Sequence, residues 1–242
     1  MKITWTFRRI LRATWMTLGL TFTGWLIYSY QSHGVDAAWM ADGDRVRVWK
    51  SDDYYQFIPS GSYDKVVFFY PGAMVDPKAY VPICRQIAEH GIHVFLIKMP
   101  GRMAMYGYNK PWELGLLDDT TKTYILAGHS QGAKMAAQFV YEHPGMIDKL
   151  ILIGTTHPRD ISLAQHSIPV LKIYGTRDGV ANDSDVLANR SRLPDAAKFV
   201  RIDGANHSQF GYYGSQFGDH EATITREQQQ AQTLNEILTF IN

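Results

Sequence analysis

Gly128-His129-Ser130-Gln131-Gly132 decides how this chain is read. The five residues follow an apolar, strand-like run from Tyr124 to Ala127 and open a helix-like run whose Ala133, Ala136 and Ala137 are small enough to pack closely on a sheet. Gly-x-Ser-x-Gly between a strand and a helix is the pattern of a nucleophile elbow. A serine hydroxyl is a poor nucleophile at neutral pH, so chemistry at Ser130 needs a base within hydrogen-bond reach and a sharp turn that lifts the oxygen clear of the fold. Both glycines serve that turn. Ser130 would take a strained backbone conformation, and a side chain on Gly128 or Gly132 would collide with the neighbouring strand or helix. The same glycine pattern also arises by chance in loops without chemistry, so the rest of the chain must supply the partners.

A serine of this type is served by an acid and then a histidine further along the chain. Pro169 to Gly175 is an apolar strand pattern running into Thr176-Arg177-Asp178-Gly179, which puts Asp178 at the carboxyl end of that strand. Phe199 to Ile202 reads as a last strand, followed by Asp203-Gly204-Ala205-Asn206-His207. His207 is thereby delivered to the same sheet edge, where catalytic groups collect in open α/β sheets. Asp183, Asp185 and Asp203 compete for the acid. The first two fall where a helix should begin and are explained by capping, and Asp203 is placed to support the histidine loop. His129 diverges from its neighbour in the elbow and reads as a wall of the site. The other histidines show no metal-ligand spacing, so neither a metal nor a cofactor is expected.

Negative charge developing on a substrate carbonyl calls for backbone N–H donors. One is the N–H of Gln131, the residue after the nucleophile. The second should come from the loop after the third strand, Lys65 to Tyr70, which runs into Pro71-Gly72-Ala73-Met74. Gly72 permits close backbone approach, Ala73 is the expected donor, and Met74 is the alternative.

Tyr70-Pro71-Gly72-Ala73, Lys98-Met99-Pro100, the elbow, Tyr174 to Gly179 and Asn206-His207-Ser208-Gln209-Phe210-Gly211 together resemble the α/β-hydrolase superfamily. The similarity runs from about Val46 to the last helix. It points within the superfamily to the small bacterial branch without a cap, near dienelactone-hydrolase-like and esterase-like members. The resemblance implies a hydrolase, and an amino-terminal hydrophobic segment is frequent in that branch. Pro71 departs from the histidine that many relatives carry before the oxyanion glycine, which leaves the backbone donor intact but removes a polar wall.

Composition fits one catalytic domain. Of 242 residues, about 200 follow the amino-terminal segment, enough for a single sizeable core. The formal net charge of +1, without basic clusters in the body of the chain, gives no reason to expect nucleic-acid binding, and no phosphate-cradling glycine loop follows a strand. A lone cysteine excludes an internal disulfide; Cys84 falls with Val81, Ile87 and Ala88 at helical spacing and reads as core.

At the amino terminus Lys2, Arg8, Arg9 and Arg12 precede a mostly apolar run from Ala13 to Tyr30. That is a membrane-targeting pattern. The domain reading is therefore a membrane anchor or signal segment at 1–30, a linker at 31–44 and a catalytic domain at 45–242. A single-pass anchor with an extracytoplasmic catalytic domain is expected, with secretion after signal cleavage as the alternative. Threonines dilute the run, which at about 18 residues is near the lower limit for a span.

Strand and helix patterns alternate along the remainder: a hairpin of Val46 to Lys50 and Tyr54 to Ile58, a helix from Pro77 to His90, and strands at Ile92 to Lys98, Tyr124 to Ala127 and Lys149 to Gly154. Continuous apolar strands between helices imply a mostly parallel, doubly covered sheet. Thr225 and Gln228 fit a capping box for a final helix reaching Ile241, with Ala231, Leu234, Ile237, Leu238 and Ile241 inward and the glutamine-rich first half solvated. Between Gly154 and Pro169 stand only 14 residues, too few for a cap, so the site should be open and shallow. Pro100 to Glu113 and Phe210 to Gly218, rich in tyrosine, glycine or methionine, would cover it and favour apolar acyl or aryl groups.

The expected reaction is attack of Ser130 on an ester carbonyl, with His207 as base and Asp178 fixing its tautomer, giving an acyl-enzyme that water hydrolyses. Activity should fall below about pH 6 to 7 as a histidine base becomes protonated. A carboxylesterase for small or short-chain esters is the primary reading. An acyltransferase or thioesterase with the same triad is the alternative, followed by an inactive membrane-tethered binding protein. Oligomeric state is not legible.

Overall fold

The computed structural model describes residues 6–242. Among them, β1 (Val46–Lys50), β2 (Tyr54–Pro59), β3 (Lys65–Tyr70), β4 (His93–Ile97), β5 (Thr123–His129), β6 (Lys149–Ile153), β7 (Val170–Gly175) and β8 (Lys198–Ile202) form one sheet in the order β1-β2-β4-β3-β5-β6-β7-β8. The hairpin and the β2–β4 pair are antiparallel; every later pair is parallel. The helices are α1 (Phe7–Ser29), α2 (Val81–Glu89), α3 (Lys110–Glu113), α4 (Gln131–Glu142), α5 (Asp183–Ala188) and α6 (Arg226–Ile241).

Side chains alternate across a strand, so each apolar strand feeds two cores. Val67, Phe69, Ile125, Ala127, Ile151 and Ile173 pack on one face with residues of α2 and α6. Val66, Phe68, Leu126, Leu150 and Leu152 pack on the other with α4. Cys84 is buried in the first core, as its spacing predicts.

Two boundaries differ from expectation. The elbow strand does not stop at Ala127, because Gly128 and His129 still pair with Leu152 and Ile153 in the centre of the sheet. The helix expected from Pro77 to His90 is split into a 3₁₀ turn at Pro77–Tyr80 and α2. Each piece has a proline in its first turn, where the missing N–H has no helical acceptor to lose.

The capping box of α6 is present in full, with Thr225 and Gln228 exchanging side-chain-to-backbone hydrogen bonds of 3.2 and 2.9 Å. Its glutamines are divided: Gln228 and Gln232 face water as expected, but two do not. Gln229 and Gln230 are buried, while Ala231, expected inward, is exposed. The amide of Gln229 accepts from the Asn206 N–H at 3.1 Å and donates to the Asn206 carbonyl at 2.8 Å, so α6 clamps the chain beside His207.

The amino-terminal run forms the 23-residue α1, but no helix among the described residues is long and apolar enough to cross a membrane, which falls short of the single-pass span expected. Length is not the shortfall, since 23 residues at 1.5 Å each extend about 34 Å. Apolarity is: Thr14, Thr17, Gly19, Thr21, Thr23 and Gly24 interrupt it. Lys2 lies outside the described residues. Ser29 is the one buried residue of α1, and Phe7, Trp15, Leu18, Leu20 and Ile27 are exposed. The carboxyl end of α1 is fastened down. Gly214 N–H donates to the Ser29 carbonyl at 2.7 Å and Asp76 N–H to that of Tyr30 at 2.8 Å. Residues 37–40, expected as linker, form a 3₁₀ turn held by Arg85, which donates to the Trp39 carbonyl at 3.2 Å.

Candidate active site

Ser130 occupies the one-residue bend between β5 and α4 with φ 55° and ψ −119°, backbone angles that cost a non-glycine residue roughly 1–3 kcal/mol. Neighbouring elements hold it there: its N–H donates to the Ile153 carbonyl at 2.9 Å, and its carbonyl accepts from Lys134 at 3.0 Å. A Cβ on Gly128 would lie 2.5 Å from the Gly132 carbonyl carbon, and one on Gly132 would lie 2.1 Å from the Tyr70 oxygen. Any side chain at either position would push the helix off the sheet.

The loop after β7 brings Asp178 to this edge, and the loop after β8 brings His207. Asp178 Oδ2 lies 2.8 Å from His207 Nδ1 with both side chains wholly buried. The other carboxylate oxygen accepts the N–H groups of Val180 at 2.9 Å and Ala181 at 2.6 Å, which fixes its orientation. His207 Nε2 has no hydrogen-bond partner, and His207 lines one cavity of about 260 Å³ together with Ser130. The rival acids are engaged elsewhere. Asp183 and Asp203 flank Arg201 at 3.8 and 3.3 Å, and Asp185 sits in the first turn of α5, bonded to the capping Asn182.

Asp203 does not support the histidine loop; Asp219 does. Its carboxylate accepts the N–H of His207 at 3.1 Å, the N–H of Ser208 at 2.9 Å and the Ser208 hydroxyl at 2.6 Å, and it also takes the Gly179 N–H at 3.2 Å. Asp203 follows its strand directly and its side chain is mostly in water. In sequence Gly218-Asp219 is an ordinary turn dipeptide, with no local sign that it joins the acid loop to the histidine loop.

Of the two backbone positions considered after β3, Met74 spends its N–H on the Arg102 carbonyl at 2.7 Å. The N–H groups of Ala73 and of Gln131, first residue of α4, meet no protein acceptor among the described residues. Helix starts leave such donors free and carry positive potential. Gly72 has a physical requirement of its own: a Cβ there would lie 2.9 Å from the Tyr80 hydroxyl and 3.1 Å from His129 Nδ1.

Those two groups form a buried network. The Tyr80 hydroxyl accepts the Gly72 N–H at 3.1 Å, so its own proton goes to His129 Nδ1, 2.8 Å away. Burial, and after it the neighbouring His207, hold the His129 imidazole's pKa well below the ordinary histidine value, so it is neutral. Its ring centroid lies 4.5 Å from that of His207.

The cavity is not walled by the aromatic loops expected. Met105, Tyr106 and Phe217 are exposed and do not line it; Thr155, Thr156, His157 and Arg159 of the β6–β7 loop and Lys134 of α4 do. That short loop cannot form a cap, but it folds over the edge between β5 and β7. No group of three or more His, Cys, Asp or Glu suited to a metal occurs among the described residues.

A family model described as "Alpha/beta hydrolase family" matches residues 66–231. The chain belongs to the alpha/beta hydrolase family. Its fold is that of the family, an eight-stranded, mostly parallel sheet covered by helices and without a large cap. Solved structures agree on the fold. A predicted CIB-like hydrolase from Thermoplasma acidophilum has a TM-score of 0.61 at 11% identity over 79% of this chain and 98% of its own. Est1E from Butyrivibrio proteoclasticus gives 0.58 at 14% over 82% and 99%. An alpha-beta serine hydrolase homologue from Coxiella burnetii gives 0.51 at 17% over 69% and 90%. No curated protein matches this alpha/beta hydrolase in sequence.

Proposed function

We propose that this alpha/beta hydrolase is a serine esterase that cleaves small carboxylic esters through an acyl-enzyme on Ser130. One observation carries the reading. A buried Asp178–His207 pair leaves His207 Nε2 without a partner in the cavity that Ser130 lines from a strained, positive-φ turn. In this reading His207 Nε2 takes the hydroxyl proton as Ser130 Oγ attacks the ester carbonyl, and Asp178 keeps hydrogen on Nδ1 and stabilises the imidazolium. The Ala73 and Gln131 N–H groups receive the developing oxyanion. His207 returns the proton to the leaving alkoxide, and the alcohol departs. Water activated by the same imidazole then hydrolyses the acyl-Ser130. The cavity opens beside the exposed Arg159 and Val180, so water reaches the acyl group, which favours hydrolysis over transfer to an alcohol.

The test is turnover of a 4-nitrophenyl ester series by the wild-type chain and Ser130→Ala. Short esters should be cleaved, and the variant should lose roughly four to six orders of magnitude in kcat. Equal turnover by both proteins would sink the mechanism.

We also infer that α1 holds the enzyme at a membrane surface, lying along it without crossing. Arg8, Arg9 and Arg12 lie in the first turns of this helix, whose large apolar side chains are exposed, and no acid occurs before Asp36. The full chain should sediment with membranes and residues 31–242 should not; soluble behaviour of both would end this reading.

A further inference from the structure

The side of the cavity formed by α4 and the β6–β7 loop carries positive charge that the esterase chemistry does not use. Lys134 stands four residues beyond Ser130 on α4 and so lies on the same helix face, one turn further in. Arg159 comes from the β6–β7 loop and lines the same cavity. No carboxylate lies within 4.0 Å of the Arg159 guanidinium among the described residues. The acid near Lys134 is Asp160, at 3.6 Å with most of its side chain in water, and exposed pairs of that kind are weakly held.

Arg159 is exposed, with one side-chain neighbour on its own loop. Its Nη2 donates to His157 Nε2 at 3.4 Å. His157 can accept because it is neutral: burial first, then the charges of Lys134 and Arg159, lower its pKa to about 4. The loop is fastened from below by Lys172 on β7, whose wholly buried amino group, with its pKa lowered to about 7 by burial, donates to the His157 carbonyl. A buried lysine thus fixes the loop, the loop histidine orients the guanidinium, and the guanidinium borders the cavity of Ser130 and His207.

We propose that this wall is an anion subsite: Arg159, with Lys134, holds an oxyanion carried by the substrate at the end away from the scissile bond. The favoured ligand class is a half-ester whose acyl part ends in a carboxylate, and phosphate presents the same recognition chemistry. This proposal rests on the reading of Ser130 given above. Size agrees with it. The cavity, of about 260 Å³, has room for a short acyl chain that ends in a charged group. Guanidinium–carboxylate hydrogen bonds are charge-assisted.

Two measurements test it separately from the esterase reading. In the first, kcat/KM is compared for mono-4-nitrophenyl glutarate and 4-nitrophenyl valerate, which share chain length and differ in the terminal carboxylate. The wild type should prefer the charged ester by about tenfold or more, as one charge-assisted hydrogen bond allows. That ratio should drop toward one in Arg159→Met with Lys134→Met, recover in part in Arg159→Lys, and shrink with added salt. A wild-type ratio at or below one, or a ratio unchanged by both substitutions, overturns the proposal.

In the second, calorimetry on Ser130→Ala measures binding of glutarate and of inorganic phosphate, with no turnover needed. Glutarate bound more tightly than phosphate, and lost in Arg159→Met, assigns a carboxylate. The reverse order assigns a phosphate. Binding of neither anion, or binding indifferent to Arg159→Met, removes the subsite. If the wild type cleaves no ester yet glutarate still binds through Arg159, the esterase reading falls and the subsite stands.

Discussion

Two buried imidazoles lie side by side, tilted by 46°, at the carboxyl edge of the sheet, and their surroundings give them different partners. His207 and His129 are both fully buried, with ring centroids 4.5 Å apart. His207 Nδ1 rests on a carboxylate whose other oxygen is pinned by two N–H groups, and the loop around it is tied by Asp219. His129 Nδ1 rests on a phenol, and that phenol is tied to the Gly72 N–H of the loop after β3. A carboxylate partner stabilises an imidazolium, so its histidine is suited to take a proton during a reaction. A phenol partner does not. His129 can only hold geometry, joining the elbow to the loop that offers Ala73 N–H. The identity of the partner at Nδ1, and not burial, is what distinguishes the two imidazoles.

Asp178→Asn should keep the packing but favour the wrong tautomer of His207, lowering kcat on a neutral ester by about 10⁴ with KM little changed. Steady-state kinetics on protein with an unchanged circular dichroism spectrum measures this; a loss under tenfold would mean that Asp178 is not the orienting acid.

A smaller effect sharpens the other end. Tyr80→Phe removes the donor to His129 Nδ1 and the acceptor of the Gly72 N–H, leaving two buried polar groups unmatched at a cost of about 1–3 kcal/mol in stability each at most. The rate should fall by roughly tenfold through kcat, because the oxyanion loop loses its register by a fraction of an ångström. Thermal unfolding and kinetics together decide it. A rate loss as large as that of Asp178→Asn would erase the distinction between the two histidines.

How much of this was legible depended on sequence separation. The elbow, the strands that feed it, Asp178 after β7 and His207 after β8 could be placed because each lies within a few residues of the strand that delivers it. The bracing residues could not. Tyr80 meets His129 across 49 positions, and Gln229 meets Asn206 across 23. A glutamine in a polar helical run looks solvated until the histidine loop is laid against it. Asp203 and Asp219 are both aspartates in loops rich in glycine, and only the return of the chain after Phe210 tells them apart. The wall expected to be aromatic proved cationic for the same reason: which loop folds over the edge is settled by packing, not by composition. At the amino terminus the run from Ala13 to Tyr30 did become a helix, but its threonines and glycines leave it short of the apolarity a span needs.

The sequence by itself determined the alternation of strands and helices, the glycines that let Ser130 bend, and the chain order in which Ser130, Asp178 and His207 reach one sheet edge, because these are set by local sterics and by hydrophobic period. Tertiary structure alone decided which aspartate ties the histidine loop, which histidine is paired with a phenol, and which side of the cavity bears Arg159. Each of those is a contact between segments remote in sequence, and its partner is chosen by the sheet order and by the direction in which each loop leaves its strand.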